Sequence, residues 1–311
     1  MLSLNQVRSL MITGASGFVG RSVIDYLSKL PQEKLPLEIL LVTRNGIPFP
    51  LARNIKTITK IIKSDLRQPW SIDFQPTHVI NLAADGSFAP YSAEANRDFE
   101  LIVRNLLSWI SDCTEKPRLF HASSGACTEY ELNLSNEGIF SPRYEFAKNR
   151  KNVEDILESA SKSLSFDLSV ARLFSFSGTN LLKKRQYAIS DFVNSAVLEN
   201  QIYIKGNPNT IRSYLHQESM AEWILAALIS TYVNTNLQIG SLSPVTLHDL
   251  ATYVSEITHA IVSYSKNPPL ADTYLPNNLD TRAKLGVEEG KSWEIAVEEM
   301  VNEMRVHYGK V

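Results

Sequence analysis

Three groups of residues have types and spacings that could do chemistry. The first is the run ITGASGFVG at 12–20, in which Gly14, Gly17 and Gly20 stand three apart. Gly14 would allow a tight turn, Gly17 would let backbone N–H groups approach a pyrophosphate, and Gly20 would let a helix pack closely on a strand. With Ser16, Phe18 and Val19 between them, these glycines are expected to cradle a dinucleotide. The second group is Ser123-Ser124, and the third is Tyr144-x-x-x-Lys148, twenty residues past Ser124. Residues at i and i+4 share one face of a helix. A phenol has a pKa near ~10 in water, and a neighbouring ammonium pulls that value toward neutral pH. Ser124 would then hydrogen-bond a reacting oxygen while Tyr144 takes or gives its proton.

Two smaller features concern which dinucleotide. The second apolar run ends LLVTRNG, with Thr43 and Arg44 where a carboxylate would accept hydrogen bonds from a ribose diol. An arginine fork suits a 2′-phosphate, so the sequence favours NADP(H) over NAD(H). Asp65 follows the third run, placed either to contact an adenine amino group or to cap a turn.

The elements that must position these residues follow from the apolar pattern. Short, mostly apolar runs at 8–13, 38–43, 59–63, 77–82, 118–122 and 168–174 alternate with helical patterns at 18–30, 92–112 and 144–160. Unalternating runs separated by amphipathic helices predict parallel strands covered on both faces, in an α/β, Rossmann-type doubly wound sheet. Beyond Phe174 the rhythm changes to helices near 186–199, 217–232, 246–256 and 292–305, with a short apolar run at 202–204 and irregular chain at 267–277. A smaller C-terminal α/β substrate-binding region is therefore expected. Residues 1–176, together with about 209–240, form the nucleotide domain in this reading, and 177–208 with 241–311 form the second region.

In the order and spacing of its motifs the chain resembles the extended short-chain dehydrogenase/reductase family, which contains nucleotide-sugar epimerases, dehydratases and 4-keto reductases. The resemblance rests on TGASGFVG (13–20), HVINLAA (78–84), FHASSGACTE (120–129), YEFAK (144–148), VARLFSFSG (170–178), RSYLH (212–216), LQIGSLSPVTLHDLA (237–251) and TRAKLGVEEGKSWEIAVEEM (281–300). It implies that Ser124, Tyr144 and Lys148 form the catalytic set, with Lys148 also on the nicotinamide ribose. It further implies that Leu66, Leu82, Ala83 and Ala84 lie against the cofactor and that a nucleoside diphosphate sugar is the substrate. Arg212 matches an arginine that contacts the sugar nucleotide, with an ion pair to a nearby carboxylate as the plainer role. Ser175 stands where relatives carry asparagine, and Ser87 and Tyr91 fall in a segment, 85–91, expected to line the site. A homodimer through the helices at 92–112 and 144–160 is expected by analogy.

Departures narrow the activity. Dehydratases of the family carry an acidic pair where this chain has Gly125 and Ala126, so dehydration by that route is not expected. Cys127-Thr128-Glu129 replaces a valine-tyrosine-glycine sequence, and Phe99 stands in place of an asparagine. A 4-keto reductase using exchangeable NADPH is favoured, with a 4-epimerase holding NAD tightly as the alternative and a non-catalytic NAD(P)-binding scaffold or sensor behind it. A reductase of small carbonyl compounds would lack a use for Arg212.

Composition limits the remaining classes. The 311 residues carry 31 Lys+Arg against 33 Asp+Glu, a net charge of −2, so no global field would draw nucleic acid or an anionic membrane. Two cysteines, Cys113 and Cys127, cannot make a disulfide framework, and no zinc-ligand spacing occurs. The start MLSLNQVRSLMITGAS lacks a secretion signal's apolar stretch and cleavage site, and the apolar run at 224–229 is too short to span a bilayer. A cytoplasmic protein without a metal is the expectation.

Overall fold

The computed structural model describes residues 2–84, 91–133, 142–232 and 236–309. The chain divides into two compact units, Met1–Leu173 with Ala221–Gln238, and Phe174–Met220 with Ile239–Val311.

The first unit is built on strands β1 (Ser9–Thr13), β2 (Glu38–Thr43), β3 (Thr59–Lys63), β4 (His78–Asn81), β5 (Arg118–Ser124) and β6 (Leu168–Leu173), with Asn236–Ile239 as a seventh. Their order across the sheet is Asn236–Ile239, β6, β5, β4, β1, β2, β3. Every pairing among β1 to β6 is parallel. Parallel strands are covered on both faces, and accordingly β1 is buried throughout and β2 everywhere except Glu38. β3 lies at the edge, and its Lys60, Ile61 and Lys63 are exposed; lysines there discourage pairing with another chain.

Helices α1 (Phe18–Lys29), α2 (Arg53–Lys56), α3 (Ala93–Asp112), α4 (Ala126–Asn133) and α5 (Pro142–Leu164) connect the strands. α3 starts where the Ser92 hydroxyl accepts a hydrogen bond from the Ala95 N–H, satisfying one of the free donors of the first turn. Its Phe99, Ile102, Val103, Leu106 and Ile110 form one stripe, which meets Val153 and Leu157 of α5 in the core beside Val79, Leu119 and Val170. The strand order reverses between β1 and β4, which opens a crevice at the carboxyl ends of those strands.

The doubly wound parallel sheet is the fold read from the sequence, with local differences. β5 runs two residues further than expected, so Ser123 and Ser124 end the strand instead of following it. α4 and the strand Asn236–Ile239 were not anticipated. The α4 sequence ACTEYELN carries no apolar stripe at helical spacing, so periodicity could not reveal it.

In the second unit, helices Ala188–Glu199, Leu247–Thr258 and Trp293–Tyr308 pack with short strand pairs, of which Phe176–Ser177 with Leu215–His216 is one. Ile211–Ser213 pairs antiparallel with Pro244–Thr246, and Gln201–Ile204 pairs parallel with Ile261–Tyr264. Residues 209–220, expected in the nucleotide domain, belong to this second unit: their strand pairs with Pro244–Thr246, and Arg212 binds Asp272. Among the described residues no helix is long and apolar enough to cross a membrane, and no cluster of three or more His, Cys, Asp or Glu could hold a metal ion.

Candidate cofactor and active site

The glycine turn is shaped so that side chains are excluded. Gly14 has φ +66°, and a Cβ on it would stand 2.5 Å from the Leu82 carbonyl oxygen. On Gly20 a Cβ would stand 2.5 Å from the Gly14 carbonyl oxygen and 2.7 Å from the Ala15 Cα. The Gly17 N–H closes the turn on the Gly14 carbonyl at 3.0 Å, and Gly17 then caps α1 in extended conformation. Phe18 and Val19, half-buried, are the first residues of α1, while Ser16 is exposed at the turn.

Beneath the turn runs a buried polar chain. The Thr13 hydroxyl donates to Asn81 Oδ1 at 2.7 Å, and Asn81 Nδ2 lies 3.0 Å from His121 Nδ1. The Leu82 N–H donates back to the Thr13 hydroxyl at 3.3 Å, which ties the ends of β1 and β4 together. Burial pushes the His121 imidazole down to about 3, so the ring is neutral. With Asn81 donating to Nδ1, the proton sits on Nε2, which is buried without a partner.

Above these strands a cavity is lined by Gly14 and Ser16, by Thr43, Arg44 and Asn45 after β2, by Asp65, Leu66 and Arg67 after β3, by Ala83 and Ala84 after β4, and by Ile102 of α3. Of the residues assigned to the cofactor, Gly14, Ser16, Arg44, Asp65, Leu66, Ala83 and Ala84 thus share one space. The Thr43 hydroxyl accepts the Gly46 N–H at 2.6 Å and fixes the turn that carries the exposed Arg44. Asp65 is engaged twice over: its carboxylate receives the Arg67 backbone N–H at 3.1 Å and the Arg67 guanidinium at 2.6 Å. Those hydrogen bonds hold its carboxyl below the usual carboxylate range. Arg67 also reaches Asp98 of α3 at 3.3 Å. Sequence reasoning missed Arg67, although it stands two residues from Asp65 in the same turn.

Gly14 lets the turn pack against the Leu82 backbone, and Arg44 after β2 and Arg67 after β3 line the cavity beside it. The glycine turn at the head of α1 and the cavity beside it fit an adenine dinucleotide.

At the end of β5 the two serines have different work. Ser123 is buried and donates to Glu154 at 2.5 Å; Glu154 also binds Arg172 at 2.7 Å, and Arg172 reaches Glu131 of α4 at 2.6 Å. This closed network ties β5, β6, α4 and α5. Ser124 is half-buried, and its hydroxyl accepts the Ala126 N–H at 3.2 Å, starting α4. Cys127 is fully buried, and burial together with Glu154 pushes its thiol up to about 12, so it stays protonated and unreactive.

Tyr144 lies in the first turn of α5, half-buried, with its ring 5.1 Å from that of Tyr130 in α4. Desolvation and the hydrogen bond with Tyr130 hold its phenol above the ordinary value, while Lys148 pulls in the opposite direction. Lys148 is half-buried one turn on. Interleaved with this pair on the same helix is a second one that sequence reasoning missed, Phe146 and Arg150. The Arg150 guanidinium lies 3.6 Å from the Phe99 ring centre and 4.3 Å from that of Phe146. Burial pushes it down to about 9. Tyr91, at φ 71°, meets the Phe146 ring edge-on at 5.1 Å. Ser87 lies outside the described residues.

In the second unit, the half-buried Arg212 donates from Nη2 to both carboxylate oxygens of Asp272 at 2.9 and 3.0 Å, the ion pair its alternative role anticipated. The Ser175 carbonyl accepts the Leu215 N–H at 3.1 Å.

Comparisons with known proteins agree with this geometry. The profile of the NAD dependent epimerase/dehydratase family matches residues 10–240. No curated protein matches the chain in sequence. Among solved structures, UDP-glucose 4-epimerase of Thermotoga maritima, with UDP-glucose, is 17% identical with a TM-score of 0.75, covering 96% of this chain and 99% of its own. UDP-N-acetylglucosamine 4-epimerase of Methanobrevibacter ruminantium, in complex with UDP-N-acetylmuramic acid, is 18% identical with a TM-score of 0.78, covering 99% and 100%. The dTDP-glucose 4,6-dehydratase of Bacillus anthracis, with NAD, is 16% identical with a TM-score of 0.76, covering 97% and 96%. With a matching profile over most of its length and the sheet, glycine turn and cavity described above, the chain belongs to the NAD-dependent epimerase/dehydratase family of extended short-chain dehydrogenases/reductases.

Proposed function

We propose that the chain reduces a 4-keto group of a nucleoside diphosphate sugar with NADPH. The observation that carries this reading is the adenosine end of the cavity. Thr43, Arg44 and Asn45 follow β2 there, with no acid to accept a ribose diol and repel a 2′-phosphate, and the nearby Asp65 is occupied by Arg67. A preference for NADPH suits a reductase that exchanges its cofactor at each turnover more than an epimerase that keeps NAD throughout. A nucleotide sugar as substrate is supported by the family and by the UDP-glucose and UDP-N-acetylmuramic acid named with two structural neighbours.

When bound, the nicotinamide supplies the hydride; the chain supplies the rest. Ser124, at the carboxyl end of β5, would hydrogen-bond the carbonyl oxygen. Tyr144 would give it a proton; its phenol, held above its ordinary value by desolvation and Tyr130 where Lys148 was expected to lower it, is protonated at neutral pH but is a weaker acid than a free phenol. Lys148 would favour the phenolate that remains. Arg212 and Ser175 would serve the substrate, with Arg212 exchanging Asp272 for a phosphate or ribose oxygen.

Tyr144→Phe is expected to lower turnover of the keto sugar at least a hundredfold while NADPH affinity stays within twofold. Undiminished turnover in that variant overturns the role. A second reading, binding without turnover, is favoured by the place of Phe146 and Arg150. Successive residues of a helix are about 100° apart, so this pair points about 200° away from Tyr144 and Lys148, toward α3 and β5. A wild-type protein that takes up NADPH and a nucleotide sugar yet neither reduces nor epimerises it would establish it.

A further inference from the structure

We infer that Arg150 is the cation that holds the nicotinamide-side half of the bound dinucleotide. The inference rests on the dinucleotide reading of the cavity.

Arg150 is 7% exposed. A guanidinium offers five N–H donors, and among the described residues its one hydrogen-bond acceptor is the neighbouring Asn149 Oδ1, at 2.6 Å. No described carboxylate pairs with it. Arg172, the other deeply buried arginine of this unit, is bound by both Glu131 and Glu154. Removing a cation from water without a counter-ion is costly, and the faces of Phe99 and Phe146 offset only part of that cost. They do fix the plane of the fork. His121 lies against the same Phe99, ring centres 5.6 Å apart, and its Nε2 is a second buried donor without a partner. A guanidinium with N–H groups to spare and an unpartnered imidazole N–H thus flank one aromatic ring, an arrangement that calls for an oxygen-rich ligand.

Position identifies the ligand. Phe99 is one helical turn before Ile102, and Ile102 lines the cavity of Gly14 and Arg44. The sheet runs β5, β4, β1, β2 across that crevice. A ligand whose adenosine lies by β2 and whose pyrophosphate lies on the β1 turn extends toward β4 and β5, the side on which Arg150 and His121 meet Phe99. A dinucleotide is long enough to reach there; a mononucleotide is not. The contact that the family resemblance assigns to Lys148 thereby passes to Arg150, whose planar fork suits a ribose diol or phosphate edge better than an ammonium does.

The test compares whole and half ligands by titration of the purified full chain. In Arg150→Met, affinity for NADPH should fall at least tenfold and affinity for 2′-AMP should stay within twofold, and Arg150→Lys should recover part of the loss. Equal NADPH affinity in Arg150→Met and wild type overturns the inference. So does a parallel loss of 2′-AMP, which would mark a structural role. A wild type that binds neither NADPH nor NADH overturns the dinucleotide reading itself, and this inference with it.

Discussion

The residues of the first unit divide into those that make space and those that carry charge. Gly14 and Gly20 make space, because a methyl group at either would enter van der Waals range of backbone that cannot move away. His121 carries a conditional charge. Its folded value of about 3 lies below the ordinary 6.5 because burial penalises the imidazolium. The sign follows from proton binding: as pH falls below about 6.5 the unfolded chain takes up a proton that the folded chain refuses, so stability is present above that pH and lost below it. One pKa unit corresponds to about 1.4 kcal/mol. Urea unfolding of wild type and His121→Gln between about pH 6.5 and 5 should show the wild type losing about 1–2 kcal/mol more than the variant. Parallel pH profiles would contradict a neutral buried imidazole. His78, pushed down to about 4 by burial and by Arg118, contributes to both proteins and cancels.

Among the elements, α5 matters most, since it carries two different i, i+4 pairs. Its position is set by Glu154, fully buried, which joins Ser123 of β5 to Arg172 of β6. Breaking one partner of a buried pair costs about 3–5 kcal/mol, and Glu131 still holds Arg172. Glu154→Gln should therefore cost about 3 kcal/mol by urea unfolding, near the lower end of that range; a loss below about 1 kcal/mol would show that the network does not anchor the helix. This element also marks where sequence reading reached its limit. The apolar runs revealed β1 to β6 because each strand must be covered on both faces, and Gly14, Gly17 and Gly20 announced their turn by spacing alone. Tyr144-x-x-x-Lys148 was equally legible. Phe146 and Arg150 were not, because an arginine in a helix ordinarily reads as solvated, and its burial depends on Phe99, 51 residues earlier in the chain. Glu154 looked like one more surface acid for the same reason, and α4 had no apolar stripe to show it.

At the scale of the molecule, a net charge of −2 must coexist with the polyanionic ligands proposed for the chain. Local cations resolve this: Arg44 and Arg67 line the cavity, and Arg150 and Arg212 lie elsewhere in the two units. The proposed preference for NADPH assigns the 2′-phosphate to Arg44. Arg44→Ala is expected to bring NADPH and NADH affinities within threefold of each other without abolishing either. The measurement that bears most directly on the central claim is titration of the purified wild-type chain with NADPH and with NADH, read by nicotinamide fluorescence. The account predicts saturable binding of both, with NADPH at least tenfold tighter; equal affinities, or tighter NADH, would contradict it.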